Sequence, residues 1–234
     1  MLRSITYILV TVIFFHSVAL AEISGTVKFE GEVPKMKPLD MGADPACKAK
    51  HPNPPLAELL VLGEGNSMAN VFVRVKSGIP AGKKFPSPTE PVIIKQEGCV
   101  YTPHVVGVMV DQPLKFLNHD GILHNVHALP KENREFNLGM PASMKEADKS
   151  FQKEEFMFPV KCDVHPWMGA WAAVMTHPYF DVTEKDGKFT LKGLEPGTYE
   201  VEAWHEKLGT QSQTVTIGAN ETKSVDFVFK RPTS

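Results

Sequence analysis

The chain has 234 residues, and its 25 Lys and Arg against 27 Asp and Glu give a formal net charge of −2 at pH 7. A balance this close to neutral, without a basic block, gives no support to nucleic-acid binding. Hydrophobic residues make up 42% of the chain, which is ordinary for a globular protein, while 17 Gly and 19 Pro suit a turn-rich, all-β chain. The length allows one or two domains.

The chain opens with the pattern of a secretory signal. Arg3 supplies the positive start, residues 5–15 form the apolar run, and Ala19-Leu20-Ala21 offers a small-residue cleavage site. The apolar run is shorter than the roughly 20 residues that span a bilayer. The sequence therefore predicts a signal peptide over residues 1–21, a periplasmic or secreted mature protein, and no membrane span after signal removal.

Strand signals follow along the chain, and few segments carry helical periodicity. Apolar runs or alternation predict strands near residues 71–75, 105–110 and 198–203. The polar stretch 130–150 is rich in turn formers and predicts a long loop. Asp186-Gly187 and Pro196-Gly197 indicate turns near the end of the chain.

One short stretch concentrates metal-binding chemistry. Cys162, His165 and Met168 lie within seven residues, and His124 and His127 precede them in a strand-like setting. Two His, one Cys and a weak axial Met form the ligand set of a blue-copper site, with one loop supplying three ligands and a distant strand the fourth. Taken singly, such a Cys or Met is more often a small buried hydrophobe or a gap filler. Zinc is the main competing metal, but structural zinc sites favour closed Cys- and His-rich shells and seldom include a thioether.

The surroundings of these residues resemble the cupredoxin family, and within it the amicyanin- and plastocyanin-like blue copper proteins. The resemblance spans roughly residues 91–175 and rests on the run 108–118, on His124-Asn125-Val126-His127, and on Cys-x2-His-Pro-aromatic-Met. It implies a Greek-key sandwich that binds one type 1 copper. The implied ligands are His124, Cys162, His165 and Met168. Asn118 matches the family's Asn that ties the two ligand loops together.

Two residues depart from the family pattern and bear on the redox potential. Val164 stands where a Pro usually precedes the second His, and its restored N–H is available to bond the Cys162 sulfur and favour Cu(I). Asp163 places a carboxylate beside the thiolate and favours Cu(II) if it points toward the metal.

The neighbours of His165 predict a docking patch. Pro166, Trp167 and Gly169 would form an apolar collar around a ring edge of His165 that reaches the surface. Such a patch suits brief docking with redox protein partners, whose interfaces are small. Trp167 could instead belong to the core.

The C-terminal part, about residues 178–230, resembles the carboxypeptidase regulatory-like family of transthyretin-like sandwiches. The motif is Asp-Gly-Lys-Phe-Thr-Leu-x-Gly-Leu-x-Pro-Gly-Thr-Tyr-x-Val-x-Ala-Trp. This part has room for only about five strands, and residues 23–29 and 69–73 look like that family's opening strands. We therefore predict an all-β chain in which a cupredoxin domain, 91–176, is inserted in a sandwich made of 22–90 and 177–231. The alternative is two domains in series.

The cysteine count predicts a disulfide. If a metal takes Cys162, Cys47 and Cys99 remain as a possible pair in an oxidising compartment. The alternative is two unpaired thiols.

Together these features favour a copper protein that transfers single electrons between redox partners and is not an enzyme. A copper carrier or sensor, and a structural or adhesive sandwich with a metal site, are the alternatives.

Overall fold

The computed structural model describes residues 20–231, so the predicted signal peptide lies outside the described residues except for its last two positions. Strands dominate the described chain. There are seventeen: β1 Ala21–Glu30, β2 Phe72–Ser77, β3 Val92–Glu97, β4 Val100–Thr102, β5 Val105–Met109, β6 Leu114–Asn118, β7 His124–Ala128, β8 Phe136–Met140, β9 Glu146–Lys149, β10 Glu155–Lys161, β11 Gly169–Met175, β12 Phe180–Val182, β13 Lys188–Leu194, β14 Gly197–His205, β15 Gly209–Ile217, β16 Thr222–Ser224 and β17 Phe227–Lys230. The helices are α1, Pro45–Lys50, and a 3₁₀ turn at Glu64–Asn66.

Eight strands form what we call the outer sandwich, comprising β1, β2 and β12–β17. One of its sheets has β1 between β13 and β16, with β17 also paired to β1, and the other has the order β12-β2-β14-β15. Period-two alternation explains β1, because Ile23, Val27 and Phe29 are buried while Lys28 and Glu30 are exposed. Both sheets bury these apolar faces in one shared core.

The remaining nine strands, β3–β11, form what we call the central sandwich. Its sheets have the orders β5-β11-β10-β7-β8 and β4-β3-β6-β9. They enclose a second core with Phe116, Val126 and Phe158 among its members. The predicted all-β fold class with two sandwiches is therefore confirmed, whereas the loop predicted over 130–150 is wrong, because β8 and β9 lie within it.

Strand pairing separates the two sandwiches along the chain. β1 and β2 pair with strands that follow residue 179, and β3–β11 pair among themselves. An insertion of the central sandwich into the outer one requires this pattern. The insertion and its domain bounds stay a prediction.

A third apolar cluster joins the sandwiches. Phe72 of β2 packs there with Val105 of β5 and with Met175 of β11. The rings of Phe72 and Phe180 stack with centroids 5.6 Å apart. They fit closely against β5 because Gly107 has no side chain, since a Cβ there would lie 2.6 Å from a Phe180 ring carbon. No helix among residues 20–231 is long and apolar enough to cross a membrane.

Candidate metal centre

The predicted ligands come from β7 and from the loop between β10 and β11. His124 is the first residue of β7, and β7 pairs antiparallel with β10. Cys162 directly follows β10, so it leaves the sheet beside β7. The loop closes on itself, because Met168 N donates to His165 O at 2.9 Å and Cys162 N donates to Met168 O at 3.3 Å. Sheet pairing and this turn bring the two ligand sources together.

Three of the four predicted ligands converge in the interior. The donor atoms of His124, Cys162 and His165 all lie within 4.8 Å of one another. The Nδ1 atoms of the two histidines are 2.9 Å apart, and Cys162 Sγ lies 3.7 Å from His165 Nδ1. These residues are 0%, 2% and 1% exposed, respectively. Met168, the fourth predicted ligand, is buried in the same apolar core as Cys162.

Two carboxylates orient the imidazoles. His124 Nε2 donates to Asp120 Oδ2 at 2.9 Å, and His165 Nε2 donates to Asp44 Oδ2 at 3.0 Å. A carboxylate accepts hydrogen bonds, so each Nε2 carries a proton, and the Nδ1 of a neutral ring then presents a lone pair. Two such lone pairs 2.9 Å apart repel each other unless a proton or a metal ion lies between them. With the buried Cys162 sulfur beside them, these donors fit a thiolate- and imidazole-binding metal such as copper.

The charges of the site favour a thiolate. Burial raises the pKa of Cys162, but the His124 ring and the backbone N–H groups of Asn125 and His165 outweigh it and lower this pKa to about 7. Burial lowers the pKa of His124, but hydrogen bonds to Asp120 and Cys162 raise it to about 9. A thiolate is the form of Cys that ligates metals. The site is thus arranged to hold a deprotonated sulfur.

The loop-tying role predicted for Asn118 is wrong. Asn118 Nδ2 donates to the backbone oxygens of Ile122 and Met140, at 2.9 and 3.0 Å, so it fixes the approach to β7 against β8. Asn125 ties the ligand loops instead. Its Oδ1 accepts from the backbone N–H groups of Asp163 and Val164, at 2.6 and 3.3 Å. Asn125 directly follows His124 in sequence, and this adjacency was the signal that the sequence analysis missed.

The two departures from the family pattern do not act on the sulfur as expected. The Asp163 carboxylate is half exposed and accepts hydrogen bonds from His127 Nδ1 at 2.9 Å and Asn137 Nδ2 at 2.6 Å, so it faces the surface. The Val164 N–H is engaged by Asn125 rather than by Cys162. The N–H groups that lower the Cys162 pKa belong to Asn125 and His165.

The expectation that His165 reaches the surface is also wrong. Residues around α1 cover its ring, and Cys47 Sγ lies 3.5 Å from His165 Nε2. The structure joins Cys47 to Cys99 in a disulfide, which fixes α1 beside the site. Asp44 had no predicted role, although an Asp directly before Pro45 is a typical helix start.

The residues of the predicted docking patch lie beside this cover. Pro166 is exposed, while Trp167 and Gly169 are half-buried. Trp167 Nε1 donates to Cys99 O at 3.0 Å, and its ring centroid lies 5.1 Å from that of His165. All three residues line a cleft of about 810 Å³, together with Leu59 and Trp171 among others. Their role in partner docking stays a prediction.

A comparison with protein-family models agrees with the resemblance predicted for the C-terminal part. Residues 175–230 match the family model described as a carboxypeptidase regulatory-like domain, which confirms the resemblance at the C-terminal part. A search of curated protein sequences finds no match.

Several solved structures resemble part of the chain. A Cu-containing nitrite reductase from Thermus scotoductus SA-01 is 19% identical over 42% of this chain, with a TM-score of 0.34. The match spans only 25% of the nitrite reductase chain. A purple cupredoxin from Nitrosopumilus maritimus is 18% identical over 36% of this chain and 98% of its own, with a TM-score of 0.30. An oxidized proline-to-alanine mutant of amicyanin is 16% identical over 44% of this chain and 98% of its own, with a TM-score of 0.33.

Proposed function

We propose that this protein is a periplasmic or secreted type 1 copper protein that transfers single electrons between redox protein partners. His124, Cys162, His165 and Met168 are the proposed ligands. The observation that carries the proposal is the pair of Nδ1 atoms 2.9 Å apart, both with carboxylate-bound Nε2 atoms, beside the Cys162 sulfur. Bound copper would supply a one-electron couple between Cu(II) and Cu(I).

The protein's own residues supply a fixed, dry environment for that couple. The sheet pairing of β7 and β10 and the Asn125 bridges hold the two ligand sources in one geometry. Burial of His124, Cys162 and His165 excludes water from the donors. A donor set that is already in place needs little rearrangement when the metal changes its charge, and this favours electron transfer.

The same burial disfavours the alternatives. A copper carrier needs exposed donors that can exchange metal, whereas all four proposed ligands are at most 2% exposed. Four protein donors would leave no position for a substrate, so we propose no enzymatic activity. A purely structural sandwich would not require a buried thiolate beside two carboxylate-oriented imidazoles.

The test is the colour of the copper-loaded protein. The purified mature protein, oxidised with copper, should be intensely blue from thiolate-to-Cu(II) charge transfer and should bleach reversibly on reduction. Cys162→Ser and His124→Ala should abolish the colour. His127→Ala is the matched control on β7 and should keep it, because His127 bonds Asp163 and Glu135 at the surface. Copper binding without the colour, or zinc alone after expression with both metals, would contradict the proposal.

A further inference from the structure

Helix α1 is linked through carboxylates to the Nε2 atoms of both imidazoles, on the side of each ring opposite Nδ1. At its start, the side chain of Asp44 accepts the hydrogen bond of His165 Nε2 at 3.0 Å. At its end, Lys50 Nζ lies 3.2 Å from Asp120 Oδ1, and Asp120 Oδ2 accepts from His124 Nε2 at 2.9 Å. A six-residue helix thus reaches both histidines through one carboxylate each.

Asp44 divides its two oxygens between two tasks. Its Oδ1 caps α1 by accepting from the backbone N–H groups of Ala46 at 2.7 Å and Cys47 at 3.2 Å. Its Oδ2 is left for His165. Capping fixes the carboxylate on the helix, and the Cys47–Cys99 disulfide fixes the helix on the central sandwich. The acceptor facing His165 is therefore held in place from two sides.

We propose that Asp44, held in place by helix α1, is a positioning residue for His165. The inference rests on the proposed function, because it concerns the same four ligands. A carboxylate bonded to the outer N–H of a metal-bound imidazole fixes its orientation and makes the ring a stronger donor. A stronger donor stabilises Cu(II) more than Cu(I), so Asp44 lowers the reduction potential.

Burial shields this hydrogen bond from water. His165 is 1% exposed, and Asp44 and the Cys47–Cys99 disulfide lie on the side of the ring that carries Nε2.

Asp44→Asn separates positioning from helix capping. Asn caps helices about as well as Asp, so its side-chain oxygen can keep the bonds to Ala46 and Cys47. Its other group is an NH₂, which cannot accept from His165 Nε2. Asp40→Asn is the matched control, because Asp40 lies in the same segment, is exposed, and within residues 20–231 accepts a hydrogen bond only from the Gly42 N–H.

Three readouts on copper-loaded protein test the inference. Cu(II) affinity measured by chelator competition should fall about tenfold in Asp44→Asn, the lower end of the range for such outer partners. With Cu(I) affinity unchanged, the potential measured by spectroelectrochemical titration should rise by about 59 mV, the one-electron equivalent of tenfold. NMR of the reduced wild type should show a slowly exchanging Nε2–H proton on His165.

The outcomes separate the two proposals. Asp40→Asn should match the wild type in affinity and potential. An unchanged affinity and potential in Asp44→Asn would overturn the positioning role and leave the blue site standing. If that variant does not fold, fast exchange of the His165 Nε2–H proton in the wild type would overturn it, and slow exchange would support it. A wild type that binds copper without colour would reject the blue site, whereas a tenfold weaker copper affinity in Asp44→Asn would still support positioning.

Discussion

Removal of the Cys47–Cys99 disulfide should destabilise the copper-free protein by an amount that depends on the length of the loop that the bridge closes. The bridge closes a loop with a sequence separation of 52 residues. In the chain-entropy account, a closed loop of this size lowers the free energy of the folded state relative to the unfolded state by about 4 kcal/mol at 25 °C. The bridge also ties α1 to the turn before β4, so its loss releases the segment that covers His165.

Urea unfolding of the double variant Cys47→Ser/Cys99→Ser measures this loss. With a slope of about 2 kcal/mol per molar urea, the unfolding midpoint should fall by about 2 M. Tryptophan fluorescence is a suitable probe, because Trp167 donates to Cys99 O and reports on the same region. Cys162→Ser is the control for exchanging sulfur for oxygen in the interior, and it should cost about 1 kcal/mol. A loss in the double variant no larger than in this control would refute the stabilising cross-link.

Two further predictions concern the outer sandwich and its junction with the central one. Gly107→Ala should lower the free energy of unfolding, measured by thermal denaturation, by about 1–3 kcal/mol through overpacking, because its Cβ would lie 2.6 Å from a Phe180 ring carbon. Gly139→Ala is the control and should change this free energy little, because no atom lies within 4 Å of a Cβ at that position. An equal effect of both substitutions would contradict this packing. Burial lowers the pKa of His205 to about 4, below the value of about 6.5 in an unfolded chain. The unfolded state then binds more protons, so stability is complete above about pH 6.5 and falls toward pH 4, by about 2–3 kcal/mol at pH 4.5. Urea unfolding at pH 7 and pH 4.5 should show this loss in the wild type and a smaller one in His205→Gln, and an identical loss in both would refute the assignment.

The sequence predicted the parts of the fold and site that depend on local pattern. The apolar run over residues 105–110 predicted β5, and the spacing of Cys162, His165 and Met168 indicated one loop that supplies three donors. β8 was missed because its alternating Phe136 and Leu138 lie within a polar stretch full of turn formers. β9 was missed because Glu146–Lys149 is a polar strand whose formation depends on pairing with β6.

The remaining parts depend on contacts between distant segments. Asn118 and Asn125 both lie near His124 in sequence, and only the fold shows which of them faces Asp163. The start of α1 was readable from Asp44-Pro45, but its place over His165 was not, because 121 residues separate Asp44 from that histidine. The covering of His165 by the segment around α1 is a tertiary feature that no local sequence pattern encodes.

The pairing of β1 with β17 constrains the order in which the chain can fold. Val27 lies opposite Phe227, and Thr26 N donates to Asp226 Oδ1 across a sequence separation of 200 residues. Contacts this distant close late and slow folding, because the intervening chain must first be brought together. During synthesis the N-terminal part of the chain is made first. β1 then lacks its partner strands until residues 188–230 have been made, and unpaired apolar strand edges promote aggregation. All strands of the central sandwich precede residue 176, so this sandwich can fold before the outer one is complete. Because β2 precedes it and β12 follows it in the chain, its folding would bring β2 and β12 together. Shortened chains that lack β17 are therefore expected to be targets of proteolysis rather than partly active products.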